Sequence, residues 1–164
     1  MSYGVSFPLF RLRLLPFPML AVTFFLAALF SLAAAAATNP ADDKPFAEAR
    51  IVLQVGEASP EYQGKVLSIA NNLIKHYGGP DFVDIEIVAY GPGISLLFAD
   101  YVDLPRISSL VSNGVRFVGC KNTMDTLERT AGTPPEMNPV TIPVQTGVAH
   151  LVERTGQGYV VIRP

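Results

Sequence analysis

The only cysteine of the chain, Cys120, lies in Val115-Arg116-Phe117-Val118-Gly119-Cys120-Lys121-Asn122-Thr123-Met124, where a short apolar run gives way to polar, helix-starting residues. A strand followed at once by a helix would put the sulfur near a helix N-terminus, whose partial positive charge favours thiolate over thiol. Lys121 adds a neighbouring cation, and Asn122 would lend a backbone N–H of the new helix. Attack on sulfur needs a thiolate with access, and this stretch is the best place for one in the chain. The competing reading is a small, buried, inert residue, the commonest fate of a lone cysteine.

A second stretch, Tyr90-Gly91-Pro92-Gly93, resembles a phosphate loop only superficially. It lacks the Gly-x-Gly-x-x-Gly spacing and the Walker lysine. It reads either as a tight strand-to-helix turn or as the wall of a site shared with Cys120, its glycines allowing close backbone approach. The candidate binding residues around Cys120 are therefore Lys121, Asn122, Tyr90, Gly91 and Gly93. His76 reads as structural, near a helix end. His150 and Glu153 are three apart on a predicted helix and can share a face, but two such residues make no metal site. No metal and no cofactor are expected. There is no Gly-x-Ser-x-Gly elbow, and Asp100 and Asp103 read as solvated or capping residues.

The elements that must position Cys120 follow from apolar periodicity. Compact apolar runs at Arg50–Val55, Ile85–Tyr90, Val115–Val118 and Gly158–Ile162 predict strands, and Val140–Val144 a short one interrupted by Pro143. Ser59-Pro60-Glu61 forms a helix start, and Val66, Ile69, Ala70, Leu73, Ile74 and Tyr77 make an amphipathic stripe closed by Gly78-Gly79-Pro80. Further helices are predicted over Ile94–Phe98, Leu104–Val111 and Asn122–Thr130, and around Val148, Leu151 and Val152. Strands and helices alternate, and the strands show little polar alternation. That pattern indicates an α/β fold, a mainly parallel sheet between helical layers. Sites in such sheets form at the carboxyl ends of strands, where both Tyr90–Gly93 and Cys120 fall.

The first 37 residues read differently. Arg11 and Arg13 come with no acidic residue, and an apolar run of 24 residues from Leu14 ends in Ala33–Ala37. This is the pattern of an export signal over 1–37, cleaved between Ala37 and Thr38, after which the domain would be periplasmic or secreted and free of the membrane. The run is also long enough for an uncleaved anchor. A polar, proline-punctuated linker follows over 38–49, and the domain proper over 50–164. Two of the twelve Lys and Arg lie in the signal, so ten remain against fourteen acidic residues, near −4. That balance provides no electrostatic footprint for nucleic acid.

Taken together, Ile51–Val55, Ala70–Leu73, Val88-Ala89-Tyr90-Gly91-Pro92-Gly93, the stretch Gly114–Met124 around Cys120, and Gly158–Pro164 resemble the DsrE/DsrF-like family. The resemblance spans 50–164. It implies a three-layer α/β/α sandwich assembled as a homo-oligomer, trimer or hexamer. It also implies sulfur relay, with the cysteine matching Cys120 carrying sulfane sulfur as a persulfide between a donor and an acceptor protein or small thiol. Characterised carriers are cytoplasmic, whereas this chain begins with an export signal, and Lys121 stands where exported members are expected to have a small residue. A periplasmic sulfur carrier or sulfurtransferase-like protein is the expected function. The alternatives are a non-catalytic oligomeric binding or assembly module with an inert cysteine, and a redox sensor that dimerises through Cys120.

Overall fold

The computed structural model describes residues 44–164. The predicted signal over 1–37 and the first half of the linker, 38–43, lie outside them. Five strands are described: β1 (Ala49–Val55), β2 (Val83–Ala89), β3 (Arg116–Cys120), β4 (Thr141–Val144) and β5 (Val160–Ile162). Between them come α1 (Pro60–His76), a 3-10 helix (Gly91–Leu97), α2 (Leu104–Ser112), α3 (Lys121–Ala131) and α4 (Gly147–Gly156). The sheet runs β4-β3-β2-β1-β5 with every pair parallel. This is the expected α/β architecture.

Local chemistry accounts for the boundaries. Ser59 accepts the Tyr62 N–H at 3.3 Å, and Pro60 opens α1 where its missing N–H costs nothing. Gly78 (φ 83°) and Gly79 (φ 146°) then turn the chain out of α1 through backbone angles that side chains disfavour. Pro143 is tolerated because β4 is an edge strand with β3 as its partner. The end of the predicted linker is already part of the fold: Lys44 Nζ donates to the carbonyls of Pro80 at 2.9 Å and Val83 at 3.0 Å.

The two faces of the sheet are built differently. One carries Ile51, Leu53, Val55, Ile85, Ile87 and Phe117, covered by Val66, Leu67, Ala70 and Ile74 of α1, Ile107 and Leu110 of α2, and Met124 and Leu127 of α3. The other carries Val52, Val88 and Val118, against which Leu151 of α4 and Tyr159 pack. The chain therefore leaves β3 onto one face and β4 onto the other. A crevice opens between the carboxyl ends of two such strands, and Cys120 is the last residue of β3.

The last helix forms where Val148, Leu151 and Val152 predict it, with Leu151 buried while Val148 is 53% and Val152 69% exposed. The face turned to the sheet is Gly147, His150, Leu151 and Arg154, at helical spacings of three and four. The reason lies opposite: Asp84 and Glu86 occupy that side of β2, buried to 0% and 1% exposure, and Glu86 pairs with His150 and Arg154.

Candidate functional site at the end of β3

Cys120 ends β3 and is the N-cap residue of α3, with extended backbone angles of φ −73° and ψ 112°. Across the crevice Gly147 opens α4. A Cβ on Gly147 would lie 3.2 Å from the Cβ atoms of both Cys120 and Tyr90, so α4 approaches this closely only because the residue is glycine. Two helix N-termini thus converge on Cys120.

The donors around it follow from that convergence. Burial pushes the Cys120 thiol up, but the Gly147 N–H, the Thr123 hydroxyl and the N–H groups of Thr123 and Asn122 act the other way, holding it below the usual thiol range. The Thr123 hydroxyl is itself oriented, since its oxygen accepts the Gly91 N–H at 3.0 Å. Its proton is then free to point at sulfur. The Gln145 carbonyl, 4.0 Å from Sγ, is the acceptor when sulfur carries its proton. Cys120 is buried, with 6% of the residue exposed.

The predicted site residues divide into those that gather at Cys120 and those that do not. Tyr90 shares Gly147 with Cys120 and anchors its own N–H on the Val55 carbonyl at 3.1 Å. Gly91 reaches the site through Thr123. Asn122 acts as a stitch: its N–H donates to the Gln145 carbonyl at 3.1 Å, its Nδ2 to Thr146 Oγ1 at 3.0 Å, and its Oδ1 accepts from Gln145 Nε2 at 2.7 Å. It binds the start of α3 to the loop before α4. Gly93 serves a different contact, because a Cβ there would fall 2.3 Å from the Val55 carbonyl oxygen; it lets the 3-10 helix press on β1. Lys121 is exposed to solvent.

Sequence reading passed over Thr123, Gln145, Thr146 and Gly147. For Thr123 a signal existed, a hydroxyl three residues after a helix-capping cysteine. It also passed over the charged cluster beneath α4. Glu86 Oε1 accepts from Arg116 Nε at 3.0 Å and Arg154 Nη2 at 2.7 Å, while Oε2 meets Arg154 Nε at 3.0 Å and His150 Nε2 at 2.9 Å. Arg116 continues to Asp84 at 2.8 Å and to the Tyr159 hydroxyl at 2.9 Å, and that hydroxyl donates to Asp84. His150 therefore pairs with Glu86 of β2 rather than sharing a site with Glu153. Burial pushes the Glu86 carboxyl up, yet the bonds from His150 and Arg154 and the nearby Arg116 charge outweigh it and bring it down to about 2.

Among the described residues, no group of three or more His, Cys, Asp or Glu is placed to hold a metal ion, and no helix is long and apolar enough to cross a membrane. No protein-family model and no curated protein matches the chain. Among solved structures, it is similar to a protein of unknown function, MTH1491 from Methanobacterium thermoautotrophicum, at 30% identity and a TM-score of 0.63. The alignment covers 71% of this chain and 100% of that one.

Proposed function

We propose, for a chain that belongs to the same family as the MTH1491 protein, a sulfur-carrier or sulfurtransferase-like function in which Cys120 is the nucleophile. The observation that supports this reading is the convergence on one sulfur of N–H donors from two helix starts and an oriented threonine hydroxyl. Such donors stabilise a thiolate, the form that attacks sulfur. The Cys120 thiolate attacks the outer sulfur of a persulfide or polysulfide donor. A new S–S bond forms at Cys120 as the donor's S–S bond breaks, and the bonding pair leaves with the donor thiolate. An acceptor thiolate then attacks the outer sulfur of the Cys120 persulfide and restores the Cys120 thiolate. No external oxidant or reductant is consumed.

The donors that hold the thiolate would equally hold the persulfide anion, whose charge sits one bond further out. The DsrE/DsrF-like resemblance and the export signal read in residues 1–37 belong to the same proposal: relay outside the cytoplasm, in a homo-oligomer. The test is mass spectrometry after exposure to polysulfide. Wild type is expected to gain whole sulfur atoms and Cys120→Ser none; equal labelling of both would overturn the reading. The 6% exposure of Cys120 favours one second reading, a non-catalytic assembly module with an inert thiol. That reading predicts no sulfur gain by the native protein and alkylation of Cys120 only on unfolding.

A further inference from the structure

Helix α4 is oriented on the sheet by charged side chains. Leu151 is its one buried side chain beyond Gly147, and full burial of a leucine contributes about 1.5–3 kcal/mol. Val148 and Val152 face away from the sheet. Glu86, by contrast, grips α4 twice, through His150 one turn after Gly147 and through Arg154 two turns after it. The Arg154 fork meets both carboxylate oxygens, and its guanidinium carbon lies 5.2 Å from the centre of the Tyr159 ring. A bidentate pair fixes orientation as well as distance. The far end of this rigid lever is Gly147, where an added Cβ would lie 3.2 Å from the Cys120 Cβ.

From this geometry we infer that Glu86 is a positioning residue for Cys120: by clamping His150 and Arg154 it sets the height and tilt of α4, and so holds the start of that helix, at Gly147, against Cys120. The inference deepens the reading of Cys120 as a nucleophile and rests on it. Glu86 touches neither sulfur nor substrate. It pairs with Arg116 in the sheet register, and Cys120 lies four residues further along β3, about 13 Å at the usual strand rise. Both groups are buried, so salt screens this separation only in part. The direct effect of its charge on Cys120 works against ionisation, since a carboxylate disfavours a second anion.

That opposition supplies a sign test. Removing the carboxylate charge alone should lower the thiol's titration midpoint; loosening α4 should raise it. The titratable and charged groups that face Glu86 are Arg116 from β3 and His150 and Arg154 from α4, with Asp84 beside it on β2 and Tyr159 behind Asp84. Lys121 adjoins Cys120 on α3 and stays in place in every variant.

The experiment is the rate of iodoacetamide alkylation of Cys120 against pH, for wild type, Glu86→Gln and Arg154→Lys, with circular dichroism confirming the fold. Loss of one charge-assisted bond to sulfur corresponds to a rise of about one pH unit in the midpoint for Glu86→Gln. Arg154→Lys keeps the charge but loses the fork, and is expected to raise the midpoint by about half a unit. A midpoint that stays or falls in folded Glu86→Gln, or stays in Arg154→Lys, overturns the inference. Should Glu86→Gln fail to fold, the charge-conserving Arg154→Lys decides alone. The outcomes also separate the two claims. A wild-type midpoint at or above an ordinary thiol sinks the nucleophile reading; a depressed midpoint unmoved by the variants sinks only the positioning role.

Discussion

The two faces of this sheet solve the same problem, covering five parallel strands, by opposite means. On one, α1 and α2 bury Val66, Leu67, Ala70, Ile74, Ile107 and Leu110 against branched residues and Phe117, and Met124 and Leu127 of α3 pack beside them. On the other, α4 rests on Leu151 and on the ion cluster of Asp84, Glu86, Arg116, His150, Arg154 and Tyr159. Apolar contacts are numerous and non-directional, so they favour closeness and tolerate small shifts. The ion cluster is directional and intolerant of a missing member, because a lone charge left in the interior costs more than the pair it came from. The apolar face provides stability. The charged face provides placement, and Cys120 sits where placement matters.

The sharpest way to break that contrast is to truncate each face. Phe117→Ala, on the apolar face, is expected to destabilise by about 3–5 kcal/mol with no change in thiol midpoint beyond what stability explains. Urea unfolding together with alkylation measures both.

The charged face should instead show its contribution as a pH window. Glu86, brought to about 2 in the folded protein from an ordinary 4.5, adds stability that is fully present above pH 4.5. That stability is lost as pH falls toward 2, by about 3 kcal/mol in all. At the other extreme, burial and the bond to Asp84 push Tyr159 up to about 12. Its contribution is complete below pH 10 and declines as pH rises toward 12. Urea midpoints from pH 2 to 6 should slope steeply in wild type and flatten in Glu86→Gln. A flat wild-type profile would erase the distinction between the faces.

Smaller effects sharpen the same comparison at the site. Thr123→Val removes the hydroxyl that faces sulfur while leaving α4 clamped, and should raise the Cys120 midpoint by about one pH unit, near 1.4 kcal/mol. An unchanged midpoint would remove threonine from the donor set. Last, Val152→Ser on the outer side of α4 is expected to change stability by no more than about 0.5 kcal/mol in thermal unfolding of the isolated chain. A larger loss would mean that this valine is covered.

The apolar face was legible in the sequence and the charged face was not. Runs such as Ile51–Val55 and the stripe from Val66 to Tyr77 announce their elements, because period and branching depend on each segment alone. Gly119-Cys120-Lys121 also announced its junction, and strand and helix meet there. The orientation of α4 could not be read the same way. Val148 and Val152 imitate a buried stripe, and only the register that sets Glu86 beside Arg116 shows why His150 and Arg154 turn inward. Asp84 and Glu86 did carry a signal, two acids at period two inside an apolar run. The role of Gly147 has no local signature at all, since it consists of a contact with residues 27 and 57 positions away.

The edge position of β4 has a kinetic consequence. This strand has four residues, one neighbour, and at Pro143 no N–H to give, yet with the start of α4 it forms the outer wall over the sulfur. Local opening is cheapest where backbone bonds are fewest. Entry to Cys120 would then be paced by brief excursions of β4 and the loop from Gln145 to Thr146, far below the cost of global unfolding. Reagent size would set the rate less than the frequency of those excursions, and the Asn122 stitch across that loop would act as its latch.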